Sequence, residues 1–168
     1  MYFFNRTDFE NDFYYDFTDK EITVDDIKLF LKYYKQNQGC NLYEFGIGNC
    51  RFDQINLNIG TVKKEITIYE FKVNRYDWLN DNKWQNYLPY CNKLIFISPF
   101  GVINKDELPK GIGLIHVWKW KHKKRTEFKR VCGNRISIAR KREMSDKVYV
   151  RILENMIRKM PYRKEELF

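Results

Sequence analysis

This chain of 168 residues contains few of the residues that mark zinc-binding or disulfide-stabilised proteins. It has four cysteines, which are Cys40, Cys50, Cys91 and Cys132. None of them forms a Cys-x-x-Cys pair, and the two histidines, His116 and His122, do not complete a zinc-binding spacing. We therefore expect four reduced thiols and no structural zinc site.

Long apolar runs are also absent. No run approaches the roughly 20 residues that a membrane-spanning helix needs. The first four residues are followed at once by Arg6 and Asp8, without the apolar segment and small-residue cleavage site of a secretory signal. We therefore expect a cytoplasmic protein with no membrane partner. A hydrophobic fraction of 43% and an aromatic fraction of 17% still suit one globular domain with extensions.

Charge is distributed unevenly along the chain, whose net charge is +9. Residues 1–118 hold 14 Lys and Arg against 16 Asp and Glu, whereas residues 119–168 hold 17 against 6. The segment 118–125 interleaves aromatic rings with cations, a composition suited to phosphate contact and base stacking. The cations that we assign to nucleic-acid binding there are Lys119, Lys121, Lys123, Lys124 and Arg125. A solvated basic surface remains the alternative.

These patterns divide the chain into an acidic aromatic arm over residues 1–22, a core over 23–118 and a basic extension over 119–168. The first 26 residues contain eight acidic and two basic residues. Such an arm would cover a sheet edge, mimic DNA within the chain, or fray. We favour fraying, as is common at chain ends.

Hydrophobic spacing predicts the main elements of the core. The run 23–26 is a capping box that opens a helix, which we expect to end at Gly39. Strands are predicted near 41–47, 50–59, 65–73 and 93–98, with a helix before the last one closed by Pro89. A second helix is predicted near 146–160, where its apolar residues would pack in the core.

Charged residues continue the apolar stripes of two predicted strands. Asp53 shares a face with the apolar residues that follow it, and Glu70 and Lys72 extend a stripe of isoleucines. Pairing of these strands would bring the two carboxylates together. Buried charges need partners or a metal, and Mg²⁺ requires only a few carboxylates plus a phosphate oxygen. We therefore interpret Asp53 and Glu70 as ligands of Mg²⁺ or Mn²⁺, and Lys72 as the group that orients water and stabilises charge.

An isolated Glu-x-Lys pair is equally typical of a solvated strand edge, but further motifs follow in order. These are Arg51-x-Asp53, Glu70-x-Lys72, Asp77, Asp81-x-Lys83-Trp84, Tyr87, Tyr90-Cys91-Asn92, Pro109 and Gly113-Leu114-Ile115. Their order resembles that of the MmcB-type DNA repair proteins of the PD-(D/E)XK nuclease superfamily. The resemblance covers roughly the middle half of the chain.

The resemblance implies an α/β, restriction endonuclease-like fold with an αβββαβ core, in which helices flank a mixed central sheet. It also implies that Asp53, Glu70 and Lys72 form the catalytic trio. The backbone carbonyl of Phe71 and the carboxylate of Glu44 would be further metal contacts, although an exposed strand position is the alternative for Glu44.

Related RecB-like nucleases carry Gln-x-x-x-Tyr on the helix after the trio. Lys83 and Tyr87 have that spacing here, with Lys in place of Gln. On an α-helix the two side chains would share a face, which suggests a nucleic-acid contact. The alternative is that Tyr87 packs the helix and Lys83 is solvated.

The sequence thus predicts a Mg²⁺- or Mn²⁺-dependent deoxyribonuclease that hydrolyses DNA phosphodiester bonds in repair, recombination or phage DNA processing. A non-catalytic nucleic-acid-binding adaptor on the same fold is the alternative. A restriction-type endonuclease would need a recognition element that we cannot locate. DNA is the expected partner, with RNA as the alternative. The oligomeric state, a homodimer included, is left open.

Overall fold

The computed structural model describes residues 15–18, 22–34, 39–58, 64–122 and 130–160. Within these ranges the strands are β1 (Tyr15–Thr18), β2 (Cys40–Ile47), β3 (Cys50–Asn58), β4 (Glu65–Phe71), β5 (Lys93–Pro99), β6 (Gly113–His122) and β7 (Arg130–Ser137). The α-helices are α1 (Val24–Tyr33), α2 (Arg75–Leu79) and α3 (Asp146–Lys159). The same described ranges contain two 3₁₀ helices, which span Trp84–Tyr90 and Lys105–Glu107.

In the described part of the chain, seven strands form one mixed sheet. Its order is β1-β6-β5-β4-β3-β2, and β7 also pairs with β6. The β2–β3 and β3–β4 pairs are antiparallel, whereas β4–β5 and β5–β6 are parallel. This arrangement confirms the predicted α/β class with a mixed central sheet.

The two faces of the sheet have separate apolar cores. On one face, α1 contributes Ile27, Phe30 and Leu31 to a cluster with residues of β4, β5 and β6. On the other, the 3₁₀ helix Trp84–Tyr90 and α3 cover the apolar stripes of β3, β4 and β5. The candidate catalytic residues continue these stripes, so they belong to the second face.

Helix α1 begins as predicted and ends early. Thr23 and Asp26 form the capping box, in which Asp26 N–H donates to Thr23 Oγ1 at 3.2 Å and Thr23 N–H donates to Asp26 Oδ2 at 2.8 Å. The helix stops at Tyr33 rather than near Gly39, because Tyr34 adopts an extended backbone. The Tyr34 ring is buried and lies 5.2 Å from the Phe30 ring, which fixes this exit.

The connection from β4 to β5 differs from the single helix that was predicted. It consists of α2, which has five residues, and the 3₁₀ helix Trp84–Tyr90, which contains Pro89. Asn74 caps α2 at its start, and Asn80 ends it. Trp78 and Trp84 both direct ring edges at Phe96, with centroids 5.0 and 6.3 Å apart, so aromatic packing holds these short turns on the sheet.

The ends of the chain join the core more closely than expected. Strand β6 runs through the predicted boundary at residue 118, and β7 pairs with it. Helix α3 occupies its predicted place and buries Ile152 and Met156, which confirms its packing role. Residues 15–18 pair with β6, so the prediction of a frayed arm is wrong for this segment. Its partner strand lies far along the chain, which local patterns do not reveal.

The described helices are too short or too polar to cross a bilayer. The four cysteines, all of which lie in described ranges, form no disulfide.

Candidate functional site

Asp53 and Glu70 meet where the β3–β4 ladder ends. The last paired residues at this end are Gln54 and Tyr69, so Asp53 and Glu70 occupy the next facing positions. Asp53 Oδ2 accepts a hydrogen bond of 2.6 Å from the backbone N–H of Phe71. The predicted pairing of the two strands is therefore confirmed, and Asp53 is fixed against the end of β4.

Lys72 lies between two buried carboxylates. Its Nζ is 3.4 Å from Glu70 Oε1 and 2.7 Å from Asp81 Oδ2. The side chains of Lys72, Glu70 and Asp81 are only 10%, 9% and 6% exposed. The structure thus brings the three predicted residues into one cluster together with Asp81. Of the two contacts that Lys72 makes, the one with Asp81 is shorter.

Sequence reasoning missed the role of Asp81 as a partner of Lys72. Asp81 lies just beyond α2, in a connection whose path the sequence does not define. Its place among the ordered motifs marked it as one element of the resemblance. That signal did not indicate which side chain it would contact, because the contact depends on the path of the chain after α2.

Burial and mutual repulsion dominate the electrostatics of the cluster. Burial, followed by the negative charge of Asp53, raises the pKa of Glu70 to about 8. The positive charge of Lys72 acts in the opposite direction. Burial also raises the pKa of Asp53, although the Phe71 N–H and Lys72 oppose it. Burial by itself lowers the pKa of Lys72, but the close contact with Asp81 and the charge of Glu70 outweigh it and raise the pKa. Lys72 is therefore kept charged, whereas the charged forms of Asp53 and Glu70 are destabilised.

Tyr87 borders this cluster as a packing residue. Its ring is buried and meets the Phe52 ring edge-on at 5.0 Å. Burial raises the pKa of the Tyr87 phenol, and the charges of Glu70 and Asp81 add to that effect. Tyr87 therefore stays neutral beside the carboxylates.

Lys83 and Tyr87 do not share a face. Lys83 is exposed at the start of the 3₁₀ helix, whereas Tyr87 points into the core. The expectation was wrong because it assumed α-helical periodicity. A 3₁₀ helix has three residues per turn, so positions four apart diverge.

Glu44 lies next to the cluster but faces outwards. It stands between the pairs Tyr43–Gln54 and Phe45–Phe52, and so opposite Asp53. Its φ of 51° is left-handed. Its half-exposed carboxylate is held by Arg51, with Oε2 and Nε 2.7 Å apart. The Glu44 charge still contributes to the raised pKa of Asp53.

The predicted basic residues of the C-terminal extension are only partly described. Lys119 Nζ forms an ion pair with Asp26 Oδ2 at 2.8 Å, which joins β6 to α1. The backbone of Lys121 lies in β6 opposite Asp16. Lys123, Lys124 and Arg125 lie outside the described residues.

The cluster fits a cation that takes few protein ligands. In the described ranges, no group of three or more His, Cys, Asp or Glu side chains is arranged to hold a metal ion. Asp53 and Glu70 nevertheless face each other, and buried Glu70 Oε2 accepts no hydrogen bond from the described residues. Mg²⁺ often uses one or two carboxylates and completes its shell with water and phosphate oxygens. The donor set suits that kind of site and not a protein cage.

Comparisons with known proteins point to one family. A search of curated proteins finds no match. A solved structure with a similar fold is the SPO1766 protein of unknown function from Silicibacter pomeroyi, with a TM-score of 0.62 and 17% identity. The similarity covers 82% of this chain and 86% of that one, and at this identity it shows a shared fold. A family model described as DNA repair protein MmcB-like matches residues 20–149. Because this match spans most of the chain, the protein belongs to the MmcB-like family of DNA repair proteins.

Proposed function

We propose that this protein is a Mg²⁺- or Mn²⁺-dependent deoxyribonuclease that hydrolyses DNA phosphodiester bonds in repair, recombination or phage DNA processing. The observation that carries the proposal is the cluster of Asp53, Glu70 and Lys72 at the end of the β3–β4 ladder. Membership in a DNA repair family supports DNA as the substrate. The element order α1-β2-β3-β4-α2-β5 also supports the proposal, because it follows the αβββαβ core that the resemblance implies, with α2 and a 3₁₀ helix in place of a single second helix.

Stability alone is a poor reason for such a cluster. Apolar residues of similar volume often replace buried ion pairs with no loss of stability, or with a gain. Here Asp53, Glu70 and Asp81 surround a single lysine, so carboxylates outnumber the cation. Burial, with the charge of Asp53 as a further cause, raises the pKa of Glu70 to about 8 and destabilises its charged form. A divalent cation would supply the missing positive charge and give the surplus of carboxylates a function.

Each residue has a distinct role in this proposal. Asp53 and Glu70 would hold the cation, with the backbone carbonyl of Phe71 as a further ligand. When bound, the cation would polarise a phosphodiester oxygen and lower the pKa of a water molecule. Lys72 would orient the attacking water and stabilise the charge that develops on the phosphate. Asp81 would keep the Lys72 ammonium in place, because it is the closer of its two partners.

The contacts with DNA are assigned more broadly. We retain Lys121, Lys123, Lys124 and Arg125 as proposed phosphate contacts, together with the exposed Lys83. Lys119 forms an ion pair with Asp26, so we assign it a structural role in joining β6 to α1. Tyr87 is assigned to packing because its ring is buried against Phe52. Glu44 is not needed as a ligand, since Arg51 holds its carboxylate.

A cleavage assay with matched variants tests the proposal. Labelled single-stranded and duplex DNA would be incubated with the protein and Mg²⁺ or Mn²⁺, and the products resolved on a denaturing gel. Asp53→Asn and Glu70→Gln should each abolish metal-dependent cleavage while the fold is retained, because either change removes a proposed ligand. Asp106→Asn, at an exposed carboxylate of the 3₁₀ helix Lys105–Glu107, is the control and should cleave normally. Wild-type rates in either site variant would refute the assignment.

A DNA-binding adaptor without turnover is the second candidate. Two observations favour it: Lys72 is closer to Asp81 than to Glu70, and no three-ligand metal group occurs in the described ranges. An adaptor would bind DNA but would not cleave it with Mn²⁺. Its Asp53→Asn variant would bind DNA as tightly as the wild-type protein. Cleavage by the wild-type protein that is lost in this variant excludes the adaptor.

A further inference from the structure

The buried cluster has one accessible side. Glu70, Lys72 and Asp81 are almost fully buried, as is the Tyr87 ring that borders them. Asp53 is half-buried, and the Glu44 side chain opposite it is 48% exposed. A substrate would therefore approach from the side of the β2–β3 hairpin.

Two cations from separate elements converge on this side. Arg51, on β3, places its Nε 2.7 Å from the Glu44 carboxylate and is 74% exposed. Lys159, on the last turn of α3, donates from Nζ to the Glu44 carbonyl oxygen at 3.4 Å. The same ammonium lies 5.1 Å from the centre of the Phe45 ring, which holds the aliphatic chain against β2.

Glu44 has the backbone of a residue under constraint. Its φ of 51° is unusual for a residue with a side chain, and such conformations cluster at functional sites. The conformation places the Glu44 carboxylate at Arg51 and its carbonyl at Lys159. Both cations are thereby held at Glu44, the residue of β2 that lies opposite Asp53.

We propose that Arg51 and Lys159 form a phosphate-binding rim that contacts the backbone of a nucleic-acid strand at the entrance to the Asp53–Glu70 cluster. This inference rests on the proposed function and names the side from which its substrate enters. Two cations against one exposed carboxylate leave the rim with net positive charge, as contact with a polyanion requires.

The existing contacts of the rim do not prevent this role. An exposed ion pair such as Arg51–Glu44 contributes little to stability. The hydrogen bond of Lys159 to a carbonyl is long at 3.4 Å, and this side chain is exposed as well. Either cation can therefore exchange its present partner for a phosphate oxygen at low cost. An arginine can in addition bind a phosphate through two parallel hydrogen bonds.

Binding measured without cleavage tests the rim. The full-length protein would be titrated into a short fluorescein-labelled DNA duplex in EDTA, and fluorescence anisotropy followed between about 50 and 200 mM salt. Arg51→Gln and Lys159→Gln should each remove one phosphate contact. Each should reduce the slope of log K against log salt by about 0.9 and weaken binding about eightfold near 0.1 M salt.

Matched variants separate the rim from overall charge. Lys147→Gln makes the same charge change on the exposed first turn of α3, about 18 Å away along the helix. It should leave the slope and the affinity close to wild type. Lys159→Arg keeps the charge and should bind like wild type, and circular dichroism would verify that the Gln variants remain folded.

Two results would contradict the proposed phosphate-binding rim. Equal weakening by Lys147→Gln and Lys159→Gln would reduce the effect to net charge and overturn the rim. Unchanged slopes in both rim variants would overturn it as well. Because EDTA prevents metal-dependent cleavage, these outcomes do not depend on nuclease activity, and failure of the proposed chemistry would be seen separately in the gel assay.

Discussion

Replacing Glu70 with Gln should make the metal-free protein more resistant to alkaline pH, although Glu70 is a proposed catalytic ligand. The pKa of this carboxyl is raised from its ordinary value of 4.5 to about 8, first by burial and then by the charge of Asp53. Between these two pH values the folded protein keeps a proton that the unfolded chain has released. Stability is therefore fully present below pH 4.5 and is lost as the pH rises towards 8.

The size of the effect follows from proton linkage. Each pH unit between about 5 and 8 should lower the free energy of unfolding by up to about 1.4 kcal/mol. Between about pH 6 and pH 8 the loss attributable to Glu70 is thus up to about 2 to 3 kcal/mol. Above the folded pKa both states are ionised and the decline stops. A glutamine of the same shape has no proton to lose, and Lys72 retains its contact with Asp81.

Urea unfolding in EDTA at about pH 6 and pH 8 measures this difference. The wild-type protein should lose stability between the two conditions, and Glu70→Gln should lose clearly less. Glu154→Gln, at an exposed position of α3, is the control and should follow the wild type. If all three proteins declined in parallel, Glu70 would not carry a raised pKa, and the argument from electrostatic stress would fail.

Two further predictions concern Lys72 and its partner. Lys72→Ala should lower turnover by roughly 10²-fold or more, as for the loss of one transition-state donor, while DNA affinity changes much less; calorimetric loss of metal binding with unchanged turnover per bound metal would contradict this role. Asp81→Asn should lower turnover by roughly 10- to 100-fold through misplacement of Lys72, and Asp81→Glu should recover part of it. If both Asp81 variants lost activity only in proportion to folded protein, measured by circular dichroism, Asp81 would be purely structural.

The clustering of Asp53, Glu70 and Lys72 could be predicted because its signal is local. Asp53, Glu70 and Lys72 lie in phase with apolar stripes, and alternation along a strand is readable over a few residues. The capping box of α1 and the helical spacing of α3 are local in the same sense, and both elements are present in the structure.

The features that escaped prediction depend on distant contacts or on competing turn chemistry. Strand β1 pairs with β6, which lies about 100 residues later in the sequence. The four residues of β1 therefore carry little local information about the strand. The segment before β5 has helical spacing, but Pro89 lacks the N–H that a longer α-helix would use, and the chain forms a 3₁₀ helix. The contact of Asp81 with Lys72 could not be predicted, because it depends on the path of that same segment.

The pairing of β1 with β6 also has a consequence for the order of folding. Tyr15 pairs with His122 and Thr18 with Lys119, whereas β2, β3 and β4 are joined in sequence as neighbouring hairpin strands. Contacts between distant segments close large loops and form slowly, while hairpins form early. During synthesis the hairpins that carry Asp53 and Glu70 can assemble before β6 has been translated. We therefore expect the candidate catalytic residues to belong to the early-folding part of the chain, and the pairing of β1 with β6 to be a late step in completing the sheet.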